Sequence, residues 1–307
     1  MQKDKKVVFI VGPTATGKTA LAVKLAKKIN ADIISCDSMQ IYKGMQILSQ
    51  APSRSDQKAV KHHLVSQLGP RYEYNVSKFK QRAVPIIKSC HKKGKIPLIV
   101  GGSGLYVKTL LDGIFEFNKR DLKYRKYLER LARRKGAKFL YDRLKKADPQ
   151  TAAVLHQNDL RRIIRALEVY RLSGKPISYL KKTAKGIWGR YDIRLLGLSL
   201  DRDKLYERIN KRVDEMFKEG IIKEVEAFSK KKMSLTAGQA LGYKEVLGYL
   251  KDEYPLAWAV ELLKKNTRHF AKRQIAWFRP DPRIKWFDAG DKDIMQKMLK
   301  EIRKAAR

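Results

Sequence analysis

The sequence predicts an α/β protein: a parallel sheet with helices on both faces, organised around a phosphate-binding loop and carrying an inserted helical domain. Three observations lead there. Short apolar, β-rich runs alternate with helical patterns through the first hundred residues, as parallel strands joined by crossover helices require. A loop of the form G-x-x-x-x-G-K-[ST] falls between the first of these strands and the first helix, the context in which that pattern has meaning. From about residue 115 to 191 the strand signals stop and a basic helical pattern takes over.

The elements follow in order. Val7 to Val11 reads as the first strand, and the spacing of Leu21, Leu25 and Ile29 as a helix ending near Asn30. Ile33-Ile34-Ser35 and Ile96 to Val100 are the next strands. The segment 115–191 holds 22 Lys/Arg against 7 Asp/Glu. Within it Asp159 to Ser173 reads as one helix, with an Asp start signal, Leu160, Ile163, Ile164 and Leu167 inward, and Gly174 before Pro176 closing it. A strand-like run, Ile193 to Leu200, follows, so the basic segment interrupts the sheet: residues 1–114 and 192–307 are expected to form the core and 115–191 the insertion. After Asp201, Leu205, Ile209, Val213 and Phe217 share one helical face.

With 307 residues, 43% of them hydrophobic, the chain can bury a sizeable core. Its formal charge of +38 exceeds what any fold needs and costs self-repulsion, which points to a polyanionic partner. No apolar run approaches the roughly 20 residues of a spanning helix, and no signal-peptide pattern opens the chain, so a cytoplasmic monomer without membrane contact is expected. Cys36 and Cys90 lack metal-site or disulfide spacing and read as small buried residues. His62 and His63, with no partner motif, read as structural.

Gly12-Pro13-Thr14-Ala15-Thr16-Gly17-Lys18-Thr19 matches the phosphate-loop pattern at every fixed position. Its glycines turn backbone N–H groups onto phosphate oxygens, and the helix start adds partial positive charge. Lys18 supplies a point charge, and the Thr19 hydroxyl can ligate Mg²⁺. Which phosphate compound is held stays open. The strand at 96–100 runs into Gly101-Gly102-Ser103-Gly104 with no acid at its tip, which speaks against a standard ATPase. A nucleoside or nucleotide kinase and a diphosphate-using transferase both remain. Asp37 follows the second strand, at the carboxyl end of the sheet where α/β folds place ligands. It suits a general base or a Mg²⁺ ligand through water, and equally a turn cap.

GPTATGKTA, DSMQIYKGM, HHL, GGSGLYVKTLLDG, NDLRRIIRALEVY, RINKRVDEM, GYKEVLGYL and TRHFAKRQIAWFR, in order and over nearly the whole chain, resemble the tRNA dimethylallyltransferase (IPP transferase) family. The resemblance implies transfer of dimethylallyl from its diphosphate to N6 of adenine 37, beside the anticodon of tRNA, with Mg²⁺. It implies that Asp37 is the base and that Lys18, Thr19 and Arg212 meet the diphosphate. Ser103 stands where the family often has Thr, with contact to the tRNA. The resemblance further assigns tRNA contacts to Asp37-Ser38-Met39-Gln40, to Arg125, to Arg161, Arg162 and Arg165, and to Ala240-Leu241-Gly242-Tyr243-Lys244. From Thr267 to Arg279, Arg268, Lys272, Arg273 and Arg279 interleave with Phe270, Trp277 and Phe278; charges suit phosphates and aromatics suit unpaired bases, although Trp277 and Phe278 are expected partly buried. One departure is visible: Gln46 to Pro52 replaces a Gly-Thr-Ala-Lys-Pro-like stretch, which leaves the contacts of that loop open. Beside the transferase stand two other readings, a P-loop kinase and a non-enzymatic RNA-binding protein with a vestigial loop.

Overall fold

The computed structural model describes residues 5–115, 117 and 119–304. The chain divides into two compact units. One takes in the chain up to Leu111 and again from Ile187; the other is Asp112–Gly186.

In chain order the first unit opens with β1 (Lys6–Val11), α1 (Lys18–Lys28), β2 (Ala31–Ser35), α2 (Arg54–Ala59), β3 (His62–His63), α3 (Val76–Lys92), β4 (Ile96–Gly101) and α4 (Gly104–Asp112). The second unit holds α5 (Leu122–Lys135), α6 (Ala137–Ala147), α7 (Pro149–Ala153), α8 (Leu160–Ser173) and α9 (Ile177–Lys181). The first resumes with β5 (Asp192–Ser199), α10 (Arg202–Glu219), α11 (Ile221–Ser229), a 3₁₀ turn at Ala237–Gln239, α12 (Tyr243–Leu250), α13 (Leu256–Phe278), β6 (Lys285–Asp288) and α14 (Ile294–Arg303).

Among the described residues the strands form one six-stranded sheet in the order β3-β2-β4-β1-β5-β6, every pairing parallel. Both faces are covered. Val7, Phe9 and Val11 of β1 pack into the larger core with α3, α4 and the helices from α10 to α13, while Val8 and Ile10 face α1 and α14. An all-parallel sheet needs that double cover, and its strands are apolar on both sides as a result. The order changes direction at β1, between β4 and β5, so the loop after β1 opens at the switch point where such sheets bind ligands.

The strands β3 and β6 were not among the sequence expectations. The first is two histidines long, and Lys285-Trp286-Phe287-Asp288 carries too few apolar residues to stand out.

The helical unit has its own core of Leu128, Leu140, Leu144, Ile163, Ala166 and Val169. Its α8 starts on Asp159, whose side chain accepts from the Arg162 amide, and stops at left-handed Gly174. The compact boundaries fall a few residues before those expected from the charge change. Ile187 and Trp188 donate their amides to the Leu110 and Leu111 carbonyls, which draws the exit segment into the first unit.

Candidate active site

The phosphate loop leaves β1 at Gly12, whose φ of 138° puts it where L-residues are rarely found. A Cβ there would stand 2.5 Å from the Leu198 carbonyl oxygen, so close packing against β5 forces glycine. Gly17, also left-handed, opens α1, whose first two residues are Lys18 and Thr19. Thr16 Oγ1 donates to the Pro13 carbonyl at 2.9 Å and tightens the turn. The Lys18 ammonium donates to that same carbonyl at 2.5 Å. The Thr14 amide is held by Gln274 Oε1 at 2.8 Å, and Gln274 Nε2 donates to the Gly102 carbonyl at 3.0 Å. Buried Gln274 on α13 thereby ties the loop to the end of β4.

Beyond the loop lies a cleft of about 290 Å³, lined by Thr14, Ala15, Gly17, Lys18 and Thr19, with Asp37, Gln40, Gln50, Phe270, Gln274 and Arg212 among the other walls. All of these residues belong to the first unit. Asp37 Oδ1 accepts from the Met39 amide at 2.7 Å and the Gln40 amide at 3.4 Å, so it caps its own turn while lining the cleft. Arg212 reaches in from α10, where Nε donates to Gln50 Oε1 at 2.5 Å and Nη1 to Thr14 Oγ1 at 3.3 Å.

Burial dominates the electrostatics. It raises the Asp37 carboxyl above its ordinary value, against the two amide hydrogen bonds and the charges of Lys18 and Arg212, which pull down. It lowers Lys18 to about 7, helped by the Arg212 charge and opposed by Asp37. Arg212 is lowered for the same reason. Two cations face one carboxylate with which neither makes an ion pair among the described residues, so the cleft has an unmet demand for anionic charge. Oxygen donors for a divalent cation are present too: the Thr19 hydroxyl and the Asp37 carboxylate line the same cleft, a hard donor set that suits Mg²⁺ with its remaining waters.

Residues 40–281 match the family model described as IPP transferase, and residues 5–74 the one described as isopentenyl transferase. The chain belongs to the IPP transferase family. Its similarity to individual members is near full length. It is 47% identical to the tRNA dimethylallyltransferase of Carboxydothermus hydrogenoformans over 97% of this chain and 96% of that one, and 42% identical to that of Acetivibrio thermocellus with the same coverage. Among solved structures it resembles the full-length tRNA isopentenylpyrophosphate transferase of Bacillus halodurans, at 39% identity and TM-score 0.69 over 98% of this chain and 97% of that one. It also resembles a eukaryotic dimethylallyltransferase captured acting on tRNA, at 31% identity and TM-score 0.81 over 96% of this chain and 77% of that one.

For an IPP transferase, the positions expected to act cluster unevenly. Lys18, Thr19, Asp37, Gln40 and Arg212 share the cleft. Ser103 sits at the start of α4, its carbonyl accepting from the Tyr106 and Val107 amides, and it is not among the cleft-lining residues. Ala240 to Lys244 lead into α12. There Gly242, at φ 94°, donates its amide to Glu245 Oε2, and Lys244 is exposed. A small cavity of about 260 Å³ is lined by Ala240, Leu241, Lys244, Arg273 and their neighbours. On α13, Phe278 is fully buried, whereas Trp277 is 41% exposed and lies so close over Gly104 that a Cβ there would be 2.1 Å from its ring.

In the helical unit the four expected arginines divide into pairs. Arg161 and Arg162 are exposed on α8, Arg162 making only a 3.4 Å pair with Asp159. Arg125 and Arg165 converge on Glu168, which is fully buried: Arg125 donates from Nε and Nη2 at 2.8 and 2.7 Å, and Arg165 Nη1 donates at 2.5 Å. The Asp121 amide adds a fourth bond at 2.9 Å. Any RNA contact by these two is made by guanidiniums already paired.

Gln274, Gln50 and Glu168 carry site geometry that the sequence reading did not assign. Gln274 and Glu168 lay inside motifs already singled out, as a polar residue on a face turned inward by its apolar neighbours. His63 Nε2 and Asp32 Oδ2 are hydrogen-bonded at 3.0 Å, and Lys95 pairs with the other Asp32 oxygen at 2.7 Å, at the amino end of β2. Cys90 lies close by, and burial pushes its thiol up to about 11, so it stays protonated. Among the described residues no helix is long and apolar enough to cross a membrane.

Proposed function

We propose that this chain transfers a dimethylallyl group from dimethylallyl diphosphate to N6 of adenine 37 in the anticodon loop of tRNA, releasing diphosphate. One observation carries the reading: a single cleft joins a carboxylate with a raised pKa, Asp37, to a phosphate loop and two cations that no acid pairs. In the reaction the donor's C1–O bond breaks, the N6–C1 bond forms, and the N6 proton passes to Asp37. The exocyclic amine is a poor nucleophile, and an acceptor for its proton typically contributes about 10²–10⁴-fold. The loop amides, Lys18 and Arg212 meet the charge that grows on the departing diphosphate. Mg²⁺, held through Thr19 and water to Asp37, would neutralise part of that charge.

The helical unit, with its excess of Lys and Arg, grips the RNA. Arg161 and Arg162, exposed on α8 and with Arg162 held only by a loose surface pair to Asp159, supply charge to the backbone, and Gln40 meets the base beside Asp37. Extracting that base from its stack costs a few kcal/mol, which the grip offsets.

Purified protein with Mg²⁺, dimethylallyl diphosphate and a tRNA bearing adenine 37 is expected to give prenylated adenosine and free diphosphate in equal amounts. The absence of product with several such tRNAs contradicts the proposal. ATP turnover driven by a nucleoside without RNA would support the kinase reading in its place.

A further inference from the structure

The segment 46–52, where this chain departs from its family's usual pattern, is fixed by an unusual set of bonds. The Glu224 carboxylate on α11 accepts from the Ile47 and Leu48 amides at 2.9 and 2.8 Å. Gln50 then adopts a left-handed φ of 49°, a conformation that side-chain-bearing residues seldom take without compensation. The compensation is visible in three bonds. Its Nε2 donates to the Ile47 carbonyl at 2.8 Å, its carbonyl accepts from Gln40 Nε2 at 3.1 Å, and its Oε1 accepts from Arg212 Nε at 2.5 Å. The amide orientation is over-determined: the reverse orientation would set a donor against Arg212 and an acceptor against a carbonyl.

We infer that Gln50 is a positioning residue, which fixes the Arg212 guanidinium for the leaving diphosphate by occupying its Nε. With Nε taken by Gln50, the terminal nitrogens are left to face the cleft, where Nη1 already touches the phosphate loop at Thr14. An arginine has five N–H donors in a rigid fork, so fixing one edge fixes the plane of the others. An uncharged acceptor is the right partner for this. A carboxylate at the same place would orient the guanidinium but cancel the charge that a diphosphate needs. The carbonyl bond from Gln40 links the same residue to the base side of the cleft, so Gln50 sets the two reacting halves relative to each other.

The inference rests on the proposed role of Arg212, and the test separates the two. Gln50→Met keeps the volume and removes the acceptor. It is expected to lower single-turnover transfer about 10- to 100-fold, the worth of one hydrogen bond to a charged group. It is also expected to weaken inhibition by inorganic diphosphate with tRNA affinity unchanged, and to lower the thermal midpoint modestly in the Arg212 and the Arg212→Ala backgrounds alike, because the Nε2 bond that compensates the left-handed φ is lost in both. In an Arg212→Ala background the same substitution is expected to cause no further loss of transfer, because a residue acting only through Arg212 has nothing left to act on. Multiplicative losses, a wild-type rate in the single variant, or an effect confined to tRNA affinity would each overturn it. If Arg212→Ala itself transfers at the wild-type rate, the proposed site reading fails, and the inference fails with it.

Discussion

Two acids in this protein, fully buried Glu168 and half-buried Asp37, each face two cations, and they end in opposite states. Glu168, in the helical unit, sits where burial alone would raise its pKa. The guanidiniums of Arg125 and Arg165 and the Asp121 amide more than reverse that, and it lies below its ordinary value. Asp37, in the cleft, has Lys18 and Arg212 nearby but touches neither, and burial leaves it above its ordinary value. Contact makes the difference. A carboxylate satisfied by direct charged hydrogen bonds is spent on structure, whereas one that meets only backbone amides keeps the capacity to take a proton, and its cations keep the capacity to take an anion.

Breaking each side gives separable outcomes. Lys18→Ala removes a point charge from the site of developing negative charge, and kcat/KM for the prenyl donor should fall about 10²–10³-fold with tRNA affinity unchanged, as read by steady-state kinetics beside filter binding. Glu168→Gln should do the reverse. It leaves two guanidiniums facing a neutral amide and should destabilise the helical unit by about 3 kcal/mol, seen by chemical denaturation, with little effect on chemistry once tRNA is saturating.

The exposed pair on α8 should behave more gently. Arg161→Ala or Arg162→Ala is expected to weaken tRNA binding across all sequences and to reduce the salt slope by about 1 each, measured by titration at several ionic strengths. Had these side chains been spent like Arg125 and Arg165, the slope would not move.

The effects of pH differ in sign between the two regions. Glu168 has a folded pKa below its unfolded value of 4.5, so its stabilising contribution is complete above that value and is lost as pH falls through the folded one. Asp37, raised in the folded state, costs stability while ionised, and acid relieves the cost. For catalysis, burial lowers Lys18 to about 7, and a bound diphosphate holds its proton. The kcat/KM for donor should therefore fall as pH rises from neutral into the alkaline range, while kcat stays level to higher pH. Parallel profiles of the two constants would show that Lys18 is not the group that meets the donor.

The fold was legible wherever a short-range signal decides structure. Gly12 to Thr19, the continuous apolar run of β1 and the Asp159-to-Gly174 helix with its two caps are local patterns, and each forms where its signal lies. Elements defined by partners were not legible. Strand β3 is two histidines that pair with Ile33 and Ile34, and nothing in His62-His63 announces that. The site divides in the same way. Lys18, Thr19 and Asp37 stand beside motif or strand-end signals. Gln274 and Gln50 bridge segments 260 and 162 residues apart in sequence, and such a bond appears only once α13 and α10 are packed against the sheet.

The contrast between a spent and an available carboxylate is tested most directly by rapid-quench single-turnover measurements on Asp37→Asn, with donor and tRNA both saturating. Asparagine keeps the shape and can still accept the Met39 amide, but cannot take the N6 proton. Formation of prenylated adenosine should slow at least about 100-fold, with donor and tRNA affinities within a few-fold of wild type. A wild-type rate from that variant would contradict the role assigned to Asp37 and, with it, the reading of the cleft.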